Sequence, residues 1–132
     1  MKKISLLIMS ALYILAGSNH FIHPHTYYVL IPPYLPFPIL LNVVSGALEI
    51  VLGAMLLLPA TRKASAAGIV ILLVLFIPVH IYMIQKGGCM GGPTCVPLLL
   101  VWLRLFPGQF ILIAWARWYA NPKSSTSADS FL

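Results

Sequence analysis

Four apolar stretches constrain this chain more than any other feature: roughly Ile4 to Asn19, Ile39 to Leu58, Ala64 to Ile84 and Leu98 to Tyr119. A helix needs about 20 apolar residues to cross a ~30 Å hydrocarbon core, so all four can span, the first only just. Composition agrees, with 61% of the 132 residues hydrophobic, 8% charged and a mean hydropathy of +0.98. A soluble domain carries roughly 25% charged residues. A soluble globule is therefore excluded, and no length is left for a second folded domain. The expected architecture is all-α, a transmembrane four-helix bundle over residues 1–120. A polar, Ser-rich tail over residues 121–132 is expected to be disordered and cytoplasmic.

The chain has eight Lys or Arg against two acids. In a soluble protein that excess would suggest nucleic acid; in a membrane chain it records topology, because basic residues stay on the cytoplasmic side. Lys2, Lys3, Arg62, Lys63, Arg117 and Lys123 fall on one side of the spans, and Lys86 falls on the other. Both termini are therefore expected in the cytoplasm, with the His/Pro segment 20–38 and the Cys loop 85–97 outside. The partner this implies is the lipid bilayer, with no nucleic acid, in a multi-pass protein of a bacterial inner membrane. A cleavable signal peptide competes for the first stretch, since Lys2-Lys3, an apolar run and Ala16-Gly17-Ser18 fit that pattern. Asn19 and His20 continue a polar face of the same stretch, which favours a retained span. Pro59 to Lys63 reads as a tight turn. Pro78 and Pro107-Gly108 are expected to break the third and fourth helices.

Glu49 is the most informative residue. It lies about eleven residues into the second span, near mid-membrane at ~1.5 Å per residue, where ionisable groups usually mark a site. Asn42, Ser45, Gly46, Glu49 and Gly53 share one helical face of small and polar residues. Arg104 in the fourth span is placed to reach towards Glu49. His80 lies near the outer end of the third span, and Ser10, Tyr13, Gly17 and His20 share a face of the first. A polar pocket is expected in the outer half of the bundle, lined by His20, Asn42, Glu49, His80 and Arg104, with Tyr13 and Ser45 close by. The plainer alternative is a structural Glu49–Arg104 ion pair.

Three further features leave alternatives open. His20, His23 and His25 form H-x-x-H-x-H, but Pro24 breaks the register and no carboxylate lies nearby in sequence, so no metal site is assigned. Cys89 and Cys95, in a glycine-rich loop expected on the oxidising side, read as a structural disulfide or a redox-active pair. Unpaired thiols, or soft Cu(I) ligands together with Met90, are the remaining possibilities. Thr26 to Pro38 is too proline-rich for a continuous helix and reads as a lid over the pocket or an interfacial cap.

Several motifs occur in a recognisable order: GSNHFIHPHTY from Gly17, IPPYLP from Ile31, SGALEIVLG from Ser45, LLPATR from Leu57, FIPVHIYM from Phe76, WLRL from Trp102 and WARWY from Trp115. Together they resemble the DoxX-like family of small four-helix membrane proteins over about residues 12 to 120. The chain departs from that pattern at His80, where the family places Asn, in the stretch RLFPGQ, one residue longer, and in the two-cysteine loop. The resemblance implies quinone-linked sulfur oxidation, a role in membrane oxidoreductase complexes or detoxification of quinone-like compounds; more distant relatives are assembly chaperones. It implies His20, Glu49 and Arg104 as the polar core.

Two functions follow as expectations. In the first, a subunit of a membrane oxidoreductase binds a quinone or similar small electrophile, Arg104 and His80 donate hydrogen bonds to it, and Glu49 relays a proton. No flavin, haem or nicotinamide motif is visible, so electrons would come from a redox partner protein or from the cysteines. In the second, the protein holds a lipid-like ligand or a partner segment without turnover. The small-residue face of the second span suits packing within one bundle or in a homo-oligomer.

Overall fold

A computed structural model describes residues 2–89 and 95–121. Those residues form helices joined by short connections, with no strand among them: α1 (Lys2–Ile22), α2 (Pro24–Tyr28), α3 (Pro38–Leu57), α4 (Pro59–Leu75), α5 (Ile77–Gln85), α6 (Leu98–Leu103) and α7 (Phe110–Ala120). A π-helical segment, Arg104–Gln109, links the last two. Four helical stretches are long and apolar enough to cross a membrane: α1, α3, Pro59–Gln85 and Leu98–Ala120. The first is longer than its apolar core suggested, because Lys2, Lys3 and His20 are helical too. Of the tail expected to be disordered, 121–132, all but Asn121 lies outside the described residues, as do Met1 and residues 90–94, Met90 among them.

Prolines set the helix starts. Pro24, Pro38 and Pro59 each open a helix, where the missing N–H costs nothing. The His/Pro segment is broken as expected, with one short helix, α2, followed by turns up to Phe37. The third span is interrupted at Phe76, two residues before Pro78, which removes a donor. The fourth breaks harder, with Phe106 at φ −139° and ψ 112° before Pro107.

The expected tight turn at Pro59 to Lys63 is corrected. Those residues are the first turn of α4, and the connection from α3 is Leu58 alone, in extended conformation. Side chains from α4 make this possible by taking up the orphan carbonyls at the end of α3. Thr61 Oγ1 donates to Met55 O at 2.8 Å, and Arg62 donates through Nε to Leu56 O at 3.1 Å and through Nη2 to Leu57 O at 3.3 Å. Arg62, which the charge pattern read as a surface topology marker, is fully buried at 0% exposure.

Helices α1 and α3 run antiparallel with their backbones in close approach. A Cβ on Gly17 would lie 2.6 Å from Gly46 O, and one on Gly46 would lie 2.7 Å from the His20 Cβ. Ser10 Oγ donates to Gly53 O at 2.6 Å along the same seam. Helix α4 packs on α3, where Ser65 Oγ donates to Leu52 O at 2.5 Å, and α7 packs on α4. Leu6, Met9, Leu56, Ile69, Leu73 and Ala116 fill the centre. Leu7, Leu15, Ile39, Val51, Ile71 and Ile111 point outwards, as a lipid-facing surface requires. The seam between α1 and the fourth span is closed by long side chains: Trp115 Nε1 and Tyr119 Oη each donate to Ser5 Oγ at 2.9 Å.

Candidate functional site

The α1–α3 seam places a polar cluster beside Glu49. Side chains on a helix lean towards its N-terminus. Because the two helices are antiparallel, His20 leans down one helix as Glu49 leans up the other. They meet with His20 Nε2 3.6 Å from Glu49 Oε2. The other ring nitrogen, Nδ1, lies 2.7 Å from Asn42 Oδ1, and Asn42 Nδ2 donates to His20 O at 3.1 Å. Tyr27 of α2 stacks on the His20 ring with centroids 3.7 Å apart, and its hydroxyl accepts from Asn19 Nδ2 at 2.8 Å. The proline-rich segment therefore sits over His20 through Tyr27.

On the other side of Glu49 is a cavity of about 190 Å³ between α1, α3 and the two broken helices. Three polar side chains line it, namely Tyr13, Glu49 and Arg104, and the rest of the wall is Leu12, Ala16, Leu72, Leu73, Phe76 and Leu112. Leu12, Ala16 and Arg104 are exposed, so the cavity reaches the side of the bundle that faces lipid. Two atoms near it are buried with no hydrogen-bond partner, Tyr13 Oη and Glu49 Oε2. Buried polar atoms are nearly always satisfied, and each exception asks for an explanation. Here the two exceptions belong to side chains of one cavity.

Arg104 and Glu49 do not form the close ion pair that was the plainer alternative to a pocket; Arg104 lines the same cavity as Glu49 and Tyr13. Its Nη1 donates to Gln109 Oε1 at 2.5 Å, and Gln109 Nε2 donates in turn to Leu73 O on α4. Gln109 is 1% exposed. It ties the break in the fourth span to the third span and holds the guanidinium at the cavity rim. Sequence reasoning missed this role, although a polar residue beside Pro107-Gly108 was the available signal.

The remaining residues are distributed as follows. His20, Asn42 and Glu49 form one connected group, and Tyr13 and Arg104 join Glu49 at the cavity. His80 is half-buried and bonds its own helix, Nδ1 lying 2.8 Å from Phe76 O; it does not line the cavity. Ser45 is half-buried on α3 and also lies off the cavity. The three histidines of the first loop diverge: His20 turns inwards, His23 is exposed, and His25 packs edge-on against Tyr28. No group of three His, Cys, Asp or Glu occurs among the described residues. Cys89 and Cys95 are joined in a disulfide, with S–S 2.01 Å and Cα atoms 4.3 Å apart, which removes the unpaired-thiol and copper readings. Val96 N donates to Gly88 O at 2.9 Å beside it.

A family model for a domain of unknown function, DUF8561, matches residues 9–120. The chain belongs to the DUF8561 family. Every residue of the cavity and of the His20 cluster lies inside the matched range, so the site is part of the DUF8561 domain itself. No curated protein and no solved structure matches the chain.

Proposed function

We propose that this DUF8561 protein binds the ring of a quinone or a similar small hydrophobic electrophile in the Tyr13–Glu49–Arg104 cavity, as a subunit of a membrane oxidoreductase. The observation that carries the reading is the cavity on which three polar side chains, Tyr13, Glu49 and Arg104, converge, with Tyr13 Oη buried and without a hydrogen-bond partner. A cavity of about 150 Å³ is enough for benzene, so about 190 Å³ fits one substituted ring and not a long tail. The exposed rim at Leu12 and Ala16 would let a tail run out into lipid. A bound quinone would supply the electron-accepting chemistry. The protein's own part is to donate hydrogen bonds to ring oxygens from Arg104 and Tyr13 and to hold a proton at Glu49. The resemblance to DoxX-like proteins points the same way.

The same proposal places both termini in the cytoplasm of a bacterial inner membrane, because Lys2, Lys3, Lys63 and Arg117 gather at the end opposite the disulfide. Electrons would reach the site from a redox partner protein, with the exposed disulfide as a docking or exchange point. A second reading, a non-catalytic protein that holds a lipid-like ligand or assists assembly, is favoured by the six apolar residues among the nine that line the cavity. Native mass spectrometry of protein purified in mild detergent decides between them. Co-purified quinone, displaced by Glu49→Gln, followed by quinone-dependent oxidation of a sulfur donor, is the expected result. A retained phospholipid, or a stable partner without redox turnover, would favour the second reading.

A further inference from the structure

The fourth span is held differently on the two sides of its break at Phe106. On the C-terminal side, α7 packs on α4 and reaches Ser5 through Trp115 and Tyr119. On the N-terminal side, α6 packs mainly on α5 and the π-helical segment. Val101 is buried, while the other five residues of α6 are exposed. A segment with so few buried contacts has little stability of its own. Its start is fastened by the connection from α5. Cys89 and Cys95 join in the disulfide, Val96 N donates to Gly88 O at 2.9 Å, and Cys89 N donates to Lys86 O at 3.1 Å. Gly88, at φ 79°, lies so close to the returning chain that a Cβ there would overlap Val96 O and touch Val101 Cγ2 at 3.7 Å. Arg104 directly follows α6, one helical turn beyond Val101. Its backbone therefore goes where α6 goes, while its guanidinium is held across the break by Gln109.

We propose that the Cys89–Cys95 disulfide is a redox-controlled clamp on the cavity: closed, it fixes α6 and keeps Arg104 at the rim; opened by a dithiol, it releases α6 and loosens the hold on the ligand. Both cysteines are exposed, so an attacking thiolate reaches either sulfur. The donor's two thiols supply two electrons and two protons. The S–S bond breaks, an S–H bond forms on Cys89 and another on Cys95, and the donor's sulfurs close a disulfide of their own. A protein dithiol of the redox partner named above is a donor of this class. Opening the bond removes the cross-link between the ends of the third and fourth spans. Little else is disturbed, because Val96, Leu98 and Leu99 beside it are exposed, whereas the central core lies on α1, α3, α4 and α7. The break at Phe106 confines the release to the half of the span that carries Arg104.

The clamp regulates the site proposed above and takes its ligand from that reading, but it has a readout of its own. Of the three tryptophans, Trp102 is on α6, and Trp115 and Trp118 are on α7 beyond the break. The full chain, labelled with 5-fluorotryptophan, is placed in lipid nanodiscs and its fluorine NMR spectrum recorded before and after dithiothreitol, with iodoacetamide and mass spectrometry counting the opened cysteines. Both cysteines should be alkylated after reduction and neither before. The Trp102 resonance should shift or sharpen, with Trp115 and Trp118 unchanged, and the double variant Cys89→Ser/Cys95→Ser should match the reduced protein. The cavity is probed with 4-methoxyacetophenone, a ring with two acceptor oxygens that neither oxidises nor alkylates thiols. Its binding should weaken about fivefold on reduction, since Arg104 keeps Gln109 but loses a fixed backbone. A disulfide that dithiothreitol opens only on unfolding would overturn the clamp. So would an unmoved Trp102, a change at all three tryptophans, or equal affinity in the two states. A Trp102 response with no ring bound in either state leaves the clamp standing and refutes the cavity reading.

Discussion

Helix α1 meets its two neighbours in opposite ways. Against α3 it lies backbone to backbone, with Gly17 and Gly46 leaving no space for a methyl group. Against the fourth span it is held by Trp115 and Tyr119, long side chains that reach Ser5 from α7. Close backbone approach gives a rigid seam, as small residues do between membrane helices, and that seam aligns His20, Asn42 and Glu49. The wider seam leaves room for the cavity. Rigid and open sides thus meet at Glu49, which belongs to both.

The largest effect should come from breaking the tight seam. Gly17→Val puts side-chain atoms into the α3 backbone, and unfolding in detergent should show a loss of about 3 kcal/mol. Next is the joint between α3 and α4. Arg62→Met leaves carbonyls at Leu56 and Leu57 without their donors and should cost about 2 kcal/mol in the same assay. On the open side, Glu49→Gln should leave stability within about 1 kcal/mol while weakening quinone binding about tenfold, or 1.4 kcal/mol. Unchanged binding would remove Glu49 from the site. Gln109→Leu should weaken binding by a smaller factor, about fivefold, because Arg104 stays but loses its anchor. The smallest change is expected at the far end of the open seam, where Ser5→Ala should cost about 1 kcal/mol and leave binding intact.

The helices were legible in the sequence because lipid imposes the strongest constraint on a chain: about 20 apolar residues, with breaks at proline. Glu49 and the face from Asn42 to Gly53 were legible for the same reason, since a polar residue in such a stretch has few places to point. Three things were not. Arg62 looked like any loop cation, because charge counting records the side of the membrane and not whether a guanidinium folds back on the preceding helix. Matching depth placed Arg104 within reach of Glu49, but depth carries no azimuth, and the cation site in ion-pair range of Glu49 is His20. His80 satisfies its own helix next to Pro78, a local bond that spacing alone does not distinguish from a ligand.

The single-residue joint at Leu58 has a consequence for movement. With Arg62 and Thr61 fastened to the last carbonyls of α3, the two middle spans are pinned to each other at that end. Away from that joint, the third span is interrupted at Phe76 and the second is preceded by the long proline segment before Pro38. Movement of α4 against α3 is therefore hinged at Leu58, like two ribs of a half-opened umbrella, and its amplitude grows with distance from the pin. The cavity lies part-way up the ribs, where a small angular change alters its width while the core below Leu56 stays closed.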